Sequence, residues 1–432
     1  MRRPWRPWLA VLAVLAGVGG LAALLATAAW RLGRTRPAEE TLPTARMSVA
    51  VALRAPDTRG FARALAPRPF LFPADHGSHP DYRTEWWYYT GNLAARDGRR
   101  FGFQLTFFRT ALAPGPPAGA AGAAAPAGGR TSAWATRQVW FAHFAVTDAA
   151  GHRFLAYERW ERQALGLAGA EAQPFRVWVG PWSAAAAGPE VAGTPPMHLA
   201  AGAAEAAIDL VLTTTLPPVP QGDRGLSPKS AEPGNASYYY SLPRLTAAGT
   251  LRLGAEQLPV TGQAWMDREW STSSLAAGEV GWDWFGLQLD DGWELMLYRL
   301  RRRRVLRAAP AVAEADPASL ATLIAPDGRT TLVPLAAVRF TATDAWTSPA
   351  SHARYPSGWH LTLPGAGPTA FDLTVRPLIA DQELRVSFRY WEGAVAASGT
   401  HGGRSVTARG YVELTGYGDA ATPAAATSAA GR

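Results

Sequence analysis

The segment Glu85-Trp-Trp-Tyr-Tyr-Thr-Gly-Asn-Leu93 runs through the turn Arg96-Asp-Gly98 into Phe103-Gln-Leu-Thr-Phe-Phe-Arg109. Far downstream, Trp282-Asp-Trp-Phe-Gly-Leu-Gln-Leu289 runs through Asp290-Asp-Gly292 into Glu294-Leu-Met-Leu-Tyr-Arg299. Each is an aromatic strand, a tight turn and an apolar strand ending on arginine. Asp-Gly between runs of period two marks a β-hairpin, because both residues tolerate the positive φ of the turn. The far ends of the two regions correspond as well. Ala248-Gly-Thr250 precedes Ala264-Trp-Met-Asp267, and Ser398-Gly-Thr400 precedes Gly410-Tyr-Val-Glu413. The chain thus carries two copies of one antiparallel unit.

The same alternation recurs in Val139–Val146, Ile208–Leu212, Trp359–Leu363 and Phe371–Val375, and Pro326-Asp-Gly328 is a further turn. Helical periodicity is nearly absent after residue 37, so the fold class is all-β. A sheet of about eight antiparallel strands loses its exposed edges by closing into a barrel, and a barrel of that size holds one small ligand. The pattern predicts a first barrel over residues 69–275 and a second over 276–420. A linker over 38–68 precedes them and a disordered tail over 421–432 follows. The Ala-, Gly- and Pro-rich stretch at 112–129 reads as a loop.

Composition narrows the function. A chain of 432 residues with 48% apolar content supplies two cores. Its 18 Trp suit an aromatic-lined ligand site. The absence of cysteine excludes disulfides, thiolate metal sites and cysteine nucleophiles. The net charge of +8 comes with no helix-turn-helix and no basic–aromatic pattern, so nucleic acid is not an expected partner. The arginine run Arg301 to Arg304 is expected to follow a strand and face water.

Residues 8–30, between Trp8 and Trp30, carry no charge. At 1.5 Å per residue the run reaches about 34 Å, enough to cross the hydrocarbon core. Residues 1–37 read as a signal anchor or, alternatively, a signal peptide cleaved near Ala26-Thr-Ala28. Either reading puts the body in the cell envelope, periplasmic or on the outer face of the cytoplasmic membrane.

Phe72-Pro-Ala-Asp-His-Gly-Ser-His-Pro80, Glu85–Gly91, Tyr238-Tyr-Tyr-Ser241, Trp265-Met-Asp-Arg-Glu-Trp270 and Gly410–Gly416 resemble motifs of the AttH-like/CrtC-like family. These are lipocalin-like proteins related to bacterial carotenoid 1,2-hydratase. The resemblance covers about residues 70–418, is closer to the AttH branch, and implies two tandem lipocalin-like (calycin-type) barrels. It also implies a possible link to an ABC-type export system. The hydratase branch adds water to a terminal carotenoid double bond. Asp267 carries over as the candidate catalytic acid, because the matching hydratase strand has an aromatic–x–Asp pattern. This chain has Tyr238-Tyr-Tyr240 where the hydratases show His and Trp.

The chemistry of such a reaction can be stated. Protonating an unactivated alkene needs a carboxylic acid kept neutral by burial, and aromatic faces then stabilise the cation. Strand alternation would aim Asp267 and Arg268 to opposite faces. Glu85 reads as an ion pair at the barrel end. Asp75, His76 and His79 are too loosely spaced for a metal site, and no cofactor is expected. The primary expectation is a membrane-associated protein binding a lipid or isoprenoid inside a barrel. Its lining is predicted to draw on Trp86, Trp87, Tyr89, Phe103, Tyr238, Tyr240, Trp265, Trp282 and Trp284. The alternative is carotenoid 1,2-hydratase activity.

Overall fold

The structure, a computed structural model, describes residues 47–48, 58–114, 134, 136–272, 275, 278–304 and 312–418. The predicted membrane segment, most of the 112–129 loop and the tail 421–432 lie outside the described residues. All the described residues belong to one compact unit, Ala45–Arg432. Among them no helix is long and apolar enough to cross a membrane.

The first sheet contains β1 (Thr84–Ala95), β2 (Arg100–Ala111), β3 (Gln138–Asp148), β4 (Arg153–Arg162), β5 (Ala168–Ala172), β6 (Phe175–Val179), β7 (Trp182–Ala186), β8 (Met197–Gly202), β9 (Ala206–Thr213), β10 (Ala236–Leu253) and β11 (Glu256–Ser271). Its order is β4-β3-β2-β1-β11-β10-β9-β8-β7-β6-β5, so the path starts and finishes on strands adjacent in sequence. The second sheet contains β12 (Glu279–Leu289), β13 (Glu294–Arg304), β14 (Leu320–Ile324), β15 (Thr330–Pro334), β16 (Arg339–Thr347), β17 (Arg354–Leu363), β18 (Phe371–Pro377), β19 (Phe388–His401) and β20 (Arg404–Leu414). Its order is β15-β14-β13-β12-β20-β19-β18-β17-β16. Together they make a nearly closed barrel and a curled half-barrel, with more strands than the eight or so expected.

The duplication read in the sequence is visible in the pairing. β2-β1-β11-β10-β9 in the first sheet corresponds to β13-β12-β20-β19-β18 in the second. Cross-strand neighbours correspond too: Tyr88 lies opposite Asp267 on β11, and Trp284 opposite Glu413 on β20.

Alternation decides which side chain goes where. On β1, Trp87 and Tyr89 point into the first barrel, where they pack with Phe103, Phe107, Trp140, Tyr238, Tyr240 and Trp270. Phe285, Leu287, Trp359 and Trp391 fill the second core. A third cluster contains the opposite faces of both repeats: Tyr88, Tyr239 and Trp265 from the first sheet meet Trp284, Met296, Tyr298 and Tyr411 from the second. The barrels therefore pack outer face against outer face. Arg244 adds a polar tie, pairing with Glu294 and donating to the Leu289 carbonyl at 2.9 Å.

One end of the first barrel is closed by a buried ionic plug. Glu85 is fully buried between Arg109 and Arg268, and it accepts from Ser78 Oγ at 2.8 Å and the His79 amide at 3.0 Å. Burial alone would raise its pKa, but the two guanidinium groups outweigh it and hold the carboxyl well below its ordinary range. Arg268 also stacks 3.8 Å from the Trp87 ring. Asp75 and His79 join the same network at 3.0 Å, with Arg68 on the far side of Asp75.

The second barrel has a matching end, where Arg301 pairs with Asp283 at 3.0 Å and bonds the Thr415 carbonyl. This corrects the expectation that Arg301 faces water. β13 continues through it, so alternation turns Arg301 inward, whereas Arg302 is exposed and pairs with Asp316. Removing one member of a buried ion pair strands the other charges. Glu85→Ala should thus cost about 3–5 kcal/mol in urea unfolding, with a smaller loss for Glu85→Gln.

Candidate functional site: an acidic aromatic cavity between the sheets

The outer faces of the two repeats do not close completely against each other. They leave a cavity of about 110 Å³ walled by Trp86, Tyr88, Phe108, Trp282, Trp284 and Tyr298. This is close to the roughly 150 Å³ cavities that take up a benzene ring. Its lining is nearly symmetric with respect to the duplication. Trp86 and Trp282, Tyr88 and Trp284, Phe108 and Leu300, and Asp267 and Glu413 occupy corresponding register positions. Gly286 lets Trp284 turn across its own strand, since a Cβ there would meet the indole at 2.5 Å. Tyr88 then stands edge-on to Trp284 at 5.3 Å and Trp265 does so at 6.0 Å.

The first sheet brings Asp267 to the wall. Its Oδ1 accepts from Ser241 Oγ at 2.5 Å and Trp265 Nε1 at 2.7 Å, and its Oδ2 accepts from Tyr239 at 2.7 Å. Trp284 Nε1 in turn donates to the Tyr239 hydroxyl at 3.2 Å. Burial raises the Asp267 pKa to about 7 despite these three donors, and the neighbouring Glu269 charge adds to the rise. Glu269 is paired with Lys229 at 2.7 Å.

The second sheet contributes Glu392 and Glu413, directly opposite each other on β19 and β20. Burial pushes Glu413 up to about 8, opposed by a hydrogen bond from Trp282 and reinforced by Asp267 and Glu269. Burial and Glu413 push Glu392 well above its ordinary value, although Tyr88 donates to its Oε2 at 3.0 Å.

Of the residues singled out in the sequence, Asp267, Trp86, Trp282 and Trp284 do line this cavity. Trp265 is one layer behind, holding Asp267. Trp87, Tyr89, Phe103, Tyr238 and Tyr240 do not reach it. They face the packed barrel interior, where Trp87 donates to the His76 carbonyl and Tyr240 bonds the His76 ring. The cavity thus lies at the seam between the sheets and not inside the first barrel, where these five rings pack. In the run Tyr238-Tyr-Tyr240 only the middle ring faces the cavity, so the departure from the hydratase pattern at positions 238 and 240 falls in the core. Sequence reading missed Tyr88, Lys229, Tyr239, Glu269, Tyr298, Glu392 and Glu413 as site residues. The repeat offered one signal, because Glu413 stands in its copy where Asp267 stands in the other.

A duplicated lipocalin-like β fold enclosing an acidic, aromatic seam defines the class of this protein. The AttH-like family model matches residues 63–417, and the chain belongs to that family. It is similar to a putative AttH of Nitrosomonas europaea, with 33% identity over 82% of this chain and all of that one, at a TM-score of 0.66. It shares a fold with kievitone hydratase of Nectria haematococca, at 14% identity and a TM-score of 0.58 over 83% of this chain and 96% of that one. The search of curated proteins returned no match.

The sign of the pH effect follows from the raised carboxyls. Asp267 titrates near 3.8 when unfolded and near 7 when folded, so the folded state binds the extra proton between those values. Its stabilising contribution is complete below the unfolded value and disappears as pH rises through about 7; Glu413 acts likewise up to about 8. The melting temperature should fall by several degrees between pH 5 and pH 9. Asp267→Asn should flatten that slope, which scanning calorimetry across the range would read.

Proposed function

We propose that the protein binds an apolar small molecule, an isoprenoid or similar lipid end, in the cavity between its two sheets. The carrying observation is a wall of Trp86, Trp282 and Trp284 around a buried carboxyl whose pKa burial raises to about 7. The cavity fits a ring or a chain terminus, so a long ligand would insert one end and leave the rest outside. A fatty-acid head is disfavoured, because it would meet four acids and one lysine. In the same reading residues 8–30 hold the protein in the cell envelope, where it takes or passes its ligand beside an ABC-type exporter.

The protonated Asp267 favours a second reading at the same place, hydration of a terminal alkene. The acid proton of Asp267 would transfer to the less substituted carbon of the end double bond and leave a tertiary cation on the other, against the indole rings. Water would add to the cation and its surplus proton would pass to a cavity carboxylate, giving a tertiary alcohol. The shared fold with a protein named as a hydratase is in keeping with this reading.

Two measurements separate these roles. Trp86→Ala removes wall area and should weaken ligand binding roughly tenfold or more, at about 1.5–3 kcal/mol per buried aromatic. Trp87→Ala, one residue away, should instead cost about 3–5 kcal/mol of stability. Binding followed by tryptophan fluorescence, together with urea unfolding, would reverse the assignment if the two variants exchanged behaviour. For catalysis, wild type and Asp267→Asn are incubated with lycopene or neurosporene and the products analysed. Hydroxylated product from the wild type, lowered about 10²–10⁴-fold in the variant, is the expected outcome for a positioned acid. Absence of product from the wild type would leave ligand binding as the sole role.

A further inference from the structure

The cavity holds more acid than its own structure can neutralise. Asp267, Glu269, Glu392 and Glu413 all line it, with Lys229 as the one basic side chain in the wall. Lys229 is engaged by Glu269 at 2.7 Å. Among the described residues no cation forms an ion pair with Glu392 or Glu413, and Asp267 has only the electrostatic reach of Lys229. Glu392 is fully buried, and its Oε1 has no hydrogen-bond partner. Two carboxyls directly opposite on neighbouring antiparallel strands, as Glu392 and Glu413 are, stand with Cβ atoms only about 4.5–5.5 Å apart. Around these groups stand the rings of Trp86, Trp282, Trp284, Tyr88 and Tyr298, and an aromatic ring carries a negative quadrupole on its faces. Acids without counter-ions inside an aromatic box are held back from their charged form by burial, and a cation entering the box is the partner that would draw that form out.

We infer that the ligand of this cavity carries a positive centre within an apolar frame, and that the Glu392–Glu413 pair on the second sheet is its counter-charge. The inference rests on the reading that this cavity is the ligand site, and it adds the charge class of the ligand. A positive centre can come from two sources. It can be a standing one, a protonated tertiary amine, or a transient one, the tertiary cation formed when Asp267 protonates an alkene. The same carboxylates and ring faces stabilise both, so an amine that binds tightly is also a mimic of the transient cation.

The groups facing the positive centre set the pH dependence. Asp267 and Glu269 with Lys229 face it from the first sheet, together with the hydroxyls of Tyr88 and Tyr239. Glu392, Glu413 and Tyr298 face it from the second. Without a ligand, burial raises all three of these acids toward their protonated form, Asp267 to about 7 and Glu413 to about 8. An incoming cation must displace at least one proton, and protons therefore compete with it as pH falls.

The test uses the full chain and an isosteric pair, N,N-dimethylcyclohexylamine and isopropylcyclohexane, titrated by calorimetry. At pH 8.5 the amine should bind about tenfold or more tighter than the hydrocarbon, in line with a desolvated cation–π contact plus a charge pair. By pH 5.5 the advantage should shrink about tenfold, while the hydrocarbon's affinity stays constant. Repeating the amine titration in buffers of different ionisation heat should register proton release. Glu413→Gln should remove most of the amine's advantage and leave the hydrocarbon unaffected, which also certifies that the variant is folded. Glu392→Gln should do the same. Equal binding of amine and hydrocarbon at pH 8.5 overturns the charge inference and leaves the cavity reading intact. Binding of neither overturns both. The source is decided by the product assay with an alkene: tight amine binding with hydration product marks a transient cation, and tight amine binding without product marks a standing one.

Discussion

Where the two repeats meet, their strands have no solvent face, and much of the molecule answers to that. β1, β11 and β10 pack one set of side chains into the first barrel and the alternate set against the second repeat, and β12, β20 and β19 do the reverse. A period of two leaves no freedom in the division. Odd positions of β1 are core, even positions are seam, and a one-residue slip would exchange the two sets entirely. The ionic plug helps to exclude that slip. Glu85 reaches Arg109 and Arg268 only in the observed register, in which Arg268 points inward and Asp267 outward.

The two populations of buried charge behave oppositely. Glu85 has two guanidinium partners and is held ionised. Asp267, Glu392 and Glu413 have hydroxyl, indole and carboxyl neighbours, which do not compensate for lost hydration. Paired charge fixes the fold, whereas an acid whose pKa burial raises toward neutrality is of the kind able to give or take a proton at working pH. The seam is suited to hold the second kind. It is dry enough to shift acidities, yet it joins two independently packed cores and so tolerates a polar, partly filled interior.

Much of the fold was legible in the chain because its signals are local and repeated. Asp-Gly turns between alternating runs define hairpins, and the echo of Glu85–Arg109 in Trp282–Arg299 defines the duplication. The site was legible in part. Aromatic residues at 86, 87, 89, 238 and 240 look alike in one dimension, and alternation says only that neighbours diverge, not which parity meets a partner sheet. Trp86 and Trp87 thereby received one role and belong to two environments. Lys229 and Glu392 lie on segments with no motif around them, and they join the cavity through pairings across the whole chain. Asp267 was found because the matching hydratase strand has an aromatic–x–Asp pattern, and its counterpart Glu413, which repeats that pattern as Tyr411-Val-Glu413, was legible only through the duplication.

The near symmetry of the cavity says something about descent. Each repeat contributes one tryptophan at the Trp86 position and one acid at the Asp267 position, and neither half encloses a cavity alone. A single ancestral unit would have exposed that aromatic, acidic face to water, a patch of the kind that marks an association surface. Two identical copies could cover it only by meeting face to face about a twofold axis, as isologous dimers do. A fusion of two such copies would keep that arrangement and release it from identity. One wall could then become an aspartate held by tyrosine and serine, and the other a pair of glutamates, giving a once-symmetric pocket two chemically different ends.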